Sequence, residues 1–573
     1  MLKYLKRYKK ECVLAPLFKM LEASFELFVP LVVASIIDAG IGAGDGGHIW
    51  RMSGVLVGLG VIGLAAAITA QFFAAKAATG FAADVRHALF ARLTGLAFPD
   101  IDRLGTSAMI TRMTSDVNQT QQAVNLTLRL FLRSPFVVLG AMVMAFTIDA
   151  RTALIFAAAI ALLSLVVFGI MAVNIPQTAA VQRQLEKVLG ATRENLTGAR
   201  VIRAFRREDA EFEAFRARNR ELTALQKRAG KVSALLNPVT YVIINVATIL
   251  LVRSGALQVD SGILTRGQVV ALYNYMSQIL VELIKLANLI VTMNKGWASW
   301  KRIAGALALE PSMDAPQAME KPLSPIAPAV VFNHVSLTYP GAGSPSLEDI
   351  DFAVKPGQVV GVIGGTGSGK TSLAGLIPRF YDVSRGEVLI DGVNVKDYPP
   401  EALRGRMGVV MQRAVLFKGS IRDNLRWGKP DAGDAELLEA ARVAQAEDVL
   451  AAKGGLDGQI EQNGANLSGG QRQRLTIARA LVRRPEILIL DDSASALDMA
   501  TDARLRKAIA ALDYHPTVFI ISQRTASIMH ADLILVLDDG RLVGKGTHAQ
   551  LMEGCDIYRE IYDSQFRKED GAR

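Results

Sequence analysis

Six apolar stretches in the first half of the chain limit what it can become. They lie near residues 12–38, 53–80, 131–149, 152–175, 234–254 and 268–293. A helix needs roughly 20 apolar residues to cross the hydrocarbon core of a bilayer, and each stretch reaches or nearly reaches that length. One such stretch can be buried in a soluble core; six in succession cannot. The third is the weakest, because Arg133 and Pro135 stand at its start. A mean hydropathy of +0.27 fits a chain partly in lipid, whereas a charged fraction of 21% requires a soluble part as well. At 573 residues the chain also exceeds what one core usually organises.

The connecting segments alternate in character. Segments 81–130 and 176–233 are long, polar and rich in arginine, while 39–52, 149–151 and 255–267 are short. Positive residues mark the cytoplasmic side. Lys3, Lys6, Arg7, Lys9 and Lys10 therefore place the N-terminus there, together with both long segments and everything after the sixth helix. The net charge of +10 has the same origin. No block of clustered lysine and arginine with interleaved aromatics points to nucleic acid. The basic N-terminus runs into a long apolar stretch without an early small-residue cleavage site, which predicts a retained membrane helix. Val201, Phe205, Phe212 and Phe215 recur at helical spacing, so the long segments are expected to be helices reaching below the membrane. Cys12 and Cys555 have no CxxC neighbour, which argues against a disulfide framework and a zinc site.

Charges inside membrane helices are expensive and often functional. Lys19, Glu22 and Glu26 share one face of the first helix, and Glu282 and Lys285 make a similar pair in the sixth. Lys19 and Glu22 are expected to snorkel at the cytoplasmic interface. Glu26 and Glu282 lie deeper, where they either line a cavity or serve packing.

The Pro-rich segment 310–329 marks a boundary. The expected domains are thus 1–309 in the membrane, a linker over 310–329, a soluble domain over 330–566 and a tail over 567–573. In the soluble part, short apolar runs such as VVGVIG and ILILD alternate with helical stretches, the pattern of an α/β domain with a largely parallel sheet. The fold class expected is a six-span α-helical membrane domain fused to an α/β P-loop nucleotide-binding domain.

Three motifs carry chemistry. Gly364-Gly365-Thr366-Gly367-Ser368-Gly369-Lys370-Thr371 fits the P-loop, with an apolar strand before it and a helix after it. Its glycines let backbone N–H groups turn in around phosphates, and the helix N-terminus adds a positive dipole. Lys370 is expected on the β- and γ-phosphates and Thr371 on Mg²⁺, with Ser372 beside them. The apolar run Ile487–Leu490 ends in Asp491, the Walker B carboxylate that would hold the Mg²⁺ shell. Between them, Ser468-Gly469-Gly470-Gln471 opens another helix, a second anion-binding N-terminus that one nucleotide in one chain does not need.

LSGGQ between a P-loop and a Walker B strand resembles the ATP-binding cassette (ABC) superfamily. Six helices fused ahead of one cassette resemble its exporter-type half-transporters, over essentially the whole chain. The resemblance implies that Tyr339 stacks on adenine, that Gln412 touches Mg²⁺, and that Ser495-Ala496-Leu497-Asp498 is the D-loop, with Asp498 in the nucleotide set. It also implies head-to-tail cassette pairing, each ATP lying between one chain's P-loop and the other chain's LSGGQ. Residues 104–117 and 198–208 resemble the regions of the two coupling helices, Phe205 being an apolar anchor of the second.

Two positions depart from the family. Asp492 stands where a hydrolysing site has glutamate, and Gln523 where it has the switch histidine. Aspartate reaches less far toward an attacking water, and glutamine carries neither proton nor positive charge. The site on this chain's own P-loop is therefore expected to bind MgATP and turn it over slowly. The intact LSGGQ is expected to complete a fast site on a second, non-identical half-transporter. The functional expectation is a subunit of a heterodimeric plasma-membrane exporter of amphipathic small molecules or drugs. A lipid or peptide translocase of the same mechanism, or an ATP-gated regulator, is the alternative.

Overall fold

A computed structural model of the chain describes residues 1–314, 316, 318 and 326–566. Part of the linker (315, 317 and 319–325) and the whole tail 567–573 lie outside the described residues. Two compact units result. The first comprises Met1–Thr94 and Thr106–Leu309, and the second Gly95–Gly105 with the chain from Glu310 onward.

The first unit is a bundle of long helices. Six segments among the described residues are long and apolar enough to cross a membrane: Leu2–Ile41, Gly46–Thr94, Thr106–Ile148, Ala150–Thr197, Glu208–Asp260 and Arg266–Leu307. At 40 to 53 residues each, they exceed a single crossing, so the polar segments 81–130 and 176–233 are largely helical extensions, as their periodicity predicts. Their packing follows from side-chain size. The second helix buries Ala66, Ala70, Ala74, Ala77, Ala78 and Ala82 along one stripe and leaves Val57, Val61, Leu64, Ile68 and Phe72 exposed. Small side chains let helix backbones approach closely where no hydrophobic effect drives helices together.

The weak start of the third apolar stretch has a structural answer. Arg133 is only 5% exposed, and its guanidinium bridges two carboxylates, with Nη1 2.5 Å from Glu282 Oε1 and Nη2 2.6 Å from Glu26 Oε2. Ser134 Oγ donates to Glu282 Oε2 at 2.8 Å, and Lys285 Nζ to Oε1 at 2.8 Å. Lys19 and Glu22 do not reach outward; they pair with each other and are both largely covered. Removing one member of a buried ion pair strands the other charge, at a cost of about 3–5 kcal/mol. Arg133→Met is therefore expected to lower the free energy of detergent-induced unfolding by that amount, read as a lower midpoint at unchanged slope, and an unchanged midpoint would rule out this bridge.

The second unit is built on a six-stranded sheet in the order Arg541–Gly546, Leu533–Asp538, Val359–Gly364, Thr517–Ile521, Ile487–Asp491 and Met407–Val410. All neighbours are parallel except the first pair. Every residue of Ile487–Asp491 and Thr517–Ile521 is buried, as continuous apolar runs in a sheet covered on both faces should be. An antiparallel four-stranded sheet (Leu347–Val354, Val330–Leu337, Arg385–Ile390 and Val393–Asn394) accompanies it. The short apolar runs alone did not indicate that second sheet.

The helix Phe98–Leu104 belongs to this unit. It lies upstream of the 104–117 stretch picked out by family resemblance, whose helix instead begins the third long segment of the first unit. An aromatic anchor is the cause. The Phe98 ring lies 4.4 Å from that of Phe380, and the Arg404 guanidinium sits over both rings, at 6.0 and 5.5 Å. Tyr381 Oη donates to Asp102 Oδ2 at 2.5 Å, and the buried Asp100 accepts from the Ser312 N–H at 2.8 Å. Burial, then the bond to Asp102, holds the Tyr381 hydroxyl well above the usual phenol range. Phe98→Ala is expected to loosen this helix by about 2 kcal/mol. The change should appear as faster amide hydrogen exchange over Ile101–Leu104 in the full chain, with none over Lys370–Leu376.

Candidate nucleotide site

The parallel strands deliver their C-terminal ends to one edge, where α/β sheets place ligand sites. The strand Val359–Gly364 runs into the P-loop, and the helix Lys370–Leu376 follows at once. Gly367 and Gly369 have φ of 84° and 94°, a region that favours glycine. At Gly369 a Cβ would also lie 2.7 Å from the Ser346 carbonyl, so no larger residue fits. Lys370 Nζ donates to the carbonyls of Gly364 (3.0 Å) and Gly365 (2.5 Å) and to Ser368 Oγ (3.3 Å). Burial lowers the Lys370 ammonium pKa. An anion at the loop would offset that penalty with an opposite charge.

Next to it, Ile487–Asp491 brings Asp491 within 3.2 Å of the Thr371 hydroxyl. Asp491 is buried and its pKa raised by desolvation, opposed by the bond from Thr371. A cation there would restore its charged form. Hydroxyl and carboxylate oxygens are hard donors of the kind Mg²⁺ takes, and Mg²⁺ is usually held by one or two carboxylates plus phosphates. The donor set Thr371 and Asp491 fits that ion. No group of three or more His, Cys, Asp or Glu among the described residues suggests a protein-only metal cage.

One cleft of about 440 Å³ joins these parts. It is lined by Thr366, Gly367, Gly369, Lys370, Thr371, Ser372, Gln412, Asp491, Asp492 and Gln523. Gln412 Nε2 donates to Asp492 Oδ2 at 3.3 Å. Tyr339 stands at the flank, its hydroxyl donating to Ser372 Oγ at 3.0 Å and its ring edge-on to Tyr381 at 4.9 Å. Ser346 and Gly540, which no motif marked, line the cleft too. Their strands meet through the Glu348 N–H and the Gly540 carbonyl, at 2.8 Å. Nor did the sequence reveal Gln565, on the last helix. Its side chain donates to the Gln523 carbonyl and accepts from the Thr525 N–H, bracing the loop that carries Gln523.

The signature residues lie elsewhere. Ser468 caps the helix Gly469–Val482, accepting from the Gln471 N–H while Gln471 Oε1 accepts from the Ser468 N–H, a reciprocal capping box. A second cleft, of about 810 Å³, is lined by Ser468, Gly470, Gln471, Arg474, Ala496 and Asp498, among others. Gly469 is exposed beside it. A Cβ on Gly470 would press the Ala496 carbonyl at 2.9 Å. Asp498 caps the helix Met499–Ala510, accepting from the Thr501 N–H, and that bond holds its carboxyl below the usual range. No residue lines both clefts.

Comparison with known proteins places this arrangement. The model of the ABC transporter transmembrane region matches residues 12–283, and the model described as ABC transporter matches 347–495. The uncharacterized ABC transporter ATP-binding protein YfiB of Bacillus subtilis is 36% identical over 569 residues, covering 99% of this chain and 98% of its own. The chain belongs to the ABC transporter family. It is an ABC exporter half-transporter, a multi-pass membrane protein whose second unit binds ATP and which acts as an ATP-hydrolysing transporter. A B. subtilis relative named for multidrug export is 29% identical over 581 residues, 98% of either chain. The ATP-dependent lipid A-core flippase of Yersinia pestis is 29% identical over 567 residues, 98% of this chain and 96% of its own. In fold, the half-transporter is similar to a bacterial Atm1-family ABC exporter solved with ATP bound, at a TM-score of 0.80 and 23% identity, over 97% of this chain and 98% of that one.

Proposed function

We propose that this chain is the ATP-retaining half of a heterodimeric exporter. Its domains are 1–309, the linker 310–329 and the cassette 330–566, with the N-terminus and cassette on the cytoplasmic side of the plasma membrane. One observation carries the reading: Asp492 and Gln523 line the cleft of this chain's own P-loop, whereas the intact Ser468, Gly470 and Gln471 line a different cleft. Thr371, Asp491 and Gln412 would hold Mg²⁺, Tyr339 would stack on adenine, and the P-loop would cradle the phosphates. On this backbone Asp492 is shorter than glutamate by one C–C bond, about 1.5 Å, and its carboxylate is engaged with Gln412. A general base must come within hydrogen-bond reach of the water it activates. Gln523 offers the γ-phosphate a neutral donor where an imidazolium would add charge.

Support for a second chain comes from the first unit as well. On the short helix Ala199–Ala204 and just beyond it, Val201 and Phe205 are 60% and 74% exposed. Apolar anchors left open in this way suit a surface that a partner covers. The transported molecule would be an amphipathic small molecule or drug. Kinship with a lipid A-core flippase favours a lipid as the second reading.

The test is to purify the chain alone and with a candidate half-transporter that carries glutamate and histidine at the two departed positions, and to measure ATPase activity and transport in vesicles. The pair should hydrolyse ATP and transport, and the chain alone should do neither at a comparable rate. Full transport-coupled ATPase activity from the chain alone would sink the heterodimer.

A further inference from the structure

The second unit holds a further cavity, of about 570 Å³, that shares no lining residue with either nucleotide cleft. Its size is that of a small-molecule pocket. One wall is the helix Met499–Ala510, where Ala503, Arg506, Lys507 and Ala510 fall on one face at helical spacing. The alanines at the ends of that stripe leave room, and the two cations between them supply charge. The floor is apolar, made by Ile509 and by Val359, Val518 and Ile520 of two paired strands. His515, before one of those strands, and His530, beyond the helix Thr525–Ile528, complete the lining.

Charge sets this cavity apart. No Asp or Glu is among the residues that line it. Two carboxylates bonded to its lining residues are already engaged. The buried Asp502 accepts from Arg506 Nε at 3.2 Å and from Ser527 Oγ at 3.0 Å, and Asp532 accepts from the Val359 N–H at 2.8 Å. Arg506 uses only its Nε on Asp502, so the rest of its guanidinium fork is open. Lys507, His515 and His530 make no side-chain hydrogen bond or ion pair among the described residues. By contrast, the cleft of about 510 Å³ beside Tyr514 pairs its charges internally, Arg442 with Glu439 and Arg484 with Asp513.

We propose that this cavity binds a soluble amphipathic phosphate monoester, with its phosphate on Arg506 and Lys507 and its apolar body on Ile509, Val518 and Ile520. A cation would meet like charge at Arg506 and Lys507, and inorganic phosphate would leave the apolar floor uncovered. A phosphate offers three oxygens to a lining rich in N–H donors, where a carboxylate offers two. The site belongs to the cassette itself and does not depend on whether the partner chain is identical.

The test is equilibrium dialysis of the full chain in lipid nanodiscs, with empty nanodiscs subtracted and MgATP saturating so that the P-loop is filled. The probe is naphthyl phosphate. Inorganic phosphate lacks its body, naphthol its charge, naphthylmethylamine reverses the charge, and naphthoate exchanges the acid group. Naphthyl phosphate should bind one site per chain, about tenfold more tightly than any of the first three and more tightly than naphthoate. Lys507→Gln should weaken it about tenfold, the worth of one hydrogen bond to a charged group. Ala503→Trp, which fills the cavity without touching its charge, should abolish binding. Both positions are exposed on one helix, so MgATP affinity should stay unchanged in both variants. Binding no tighter than that of inorganic phosphate or of naphthoate, or binding that survives both substitutions, overturns the site. Should a variant lose MgATP binding too, the order of the probes on the unaltered chain decides alone.

Discussion

Asp492→Glu combined with Gln523→His is expected to raise ATP turnover at this chain's own P-loop by about 10²–10³-fold, the usual worth of a transition-state hydrogen-bond donor. The rest of that site needs no repair. Lys370, Thr371 and Asp491 already converge on one cleft, and residues 492 and 523 both line it. Glutamate would carry the carboxylate past Gln412 toward the attacking water, and histidine would supply the missing positive donor. Groups that act as a unit are strongly non-additive, so each single change should yield much less than the pair. The measurement is phosphate release at saturating ATP, with the partner's catalytic glutamate replaced by glutamine so that only this site is read. A double variant that binds ATP but turns over no faster would show that positions 492 and 523 do not limit the site.

The second large effect reverses the ordinary expectation that the P-loop lysine matters most. Ser468→Ala in this chain should lower steady-state ATPase activity of the pair by about 10²-fold, because Ser468 lies in the cleft assigned to the partner's nucleotide. The lost helix cap itself costs only about 1 kcal/mol, and Ser468→Thr, which keeps cap and hydroxyl, should keep most of the activity. Lys370→Ala should abolish ATP retention on this chain and reduce turnover of the pair far less. If Lys370→Ala proves the more damaging to turnover, the fast site uses this chain's P-loop and the assignment is inverted.

What could be read from sequence was local. Hydropathy located the six membrane helices because each needs only its own run of apolar residues. The P-loop, the Asp491 strand and the Ser468 capping box are likewise contiguous, and their chemistry follows from spacing. Contacts closed over long separations were not legible. Arg133 looked like a defect in the third apolar stretch, since its partners lie 107 residues before it and 149 after it. The helix Phe98–Leu104 was overlooked because its anchors, Phe380, Tyr381 and Arg404, are nearly 300 residues away. Ser346 and Gly540 carry no motif and enter the cleft only because two strand ends meet. Gln565 braces the loop after Gln523 from the last helix, which nothing in that helix's own pattern announces.

The central claim is that the two nucleotides of the pair meet different fates. It is tested most directly by photo-crosslinking an azido-ATP labelled at either the α- or the γ-phosphate to the purified pair after one turnover, then separating the two chains. The asymmetric account predicts both labels on this chain, as intact ATP at its own P-loop, and the α-label alone on the partner. Loss of the γ-label from this chain at the same rate as from its partner would contradict it.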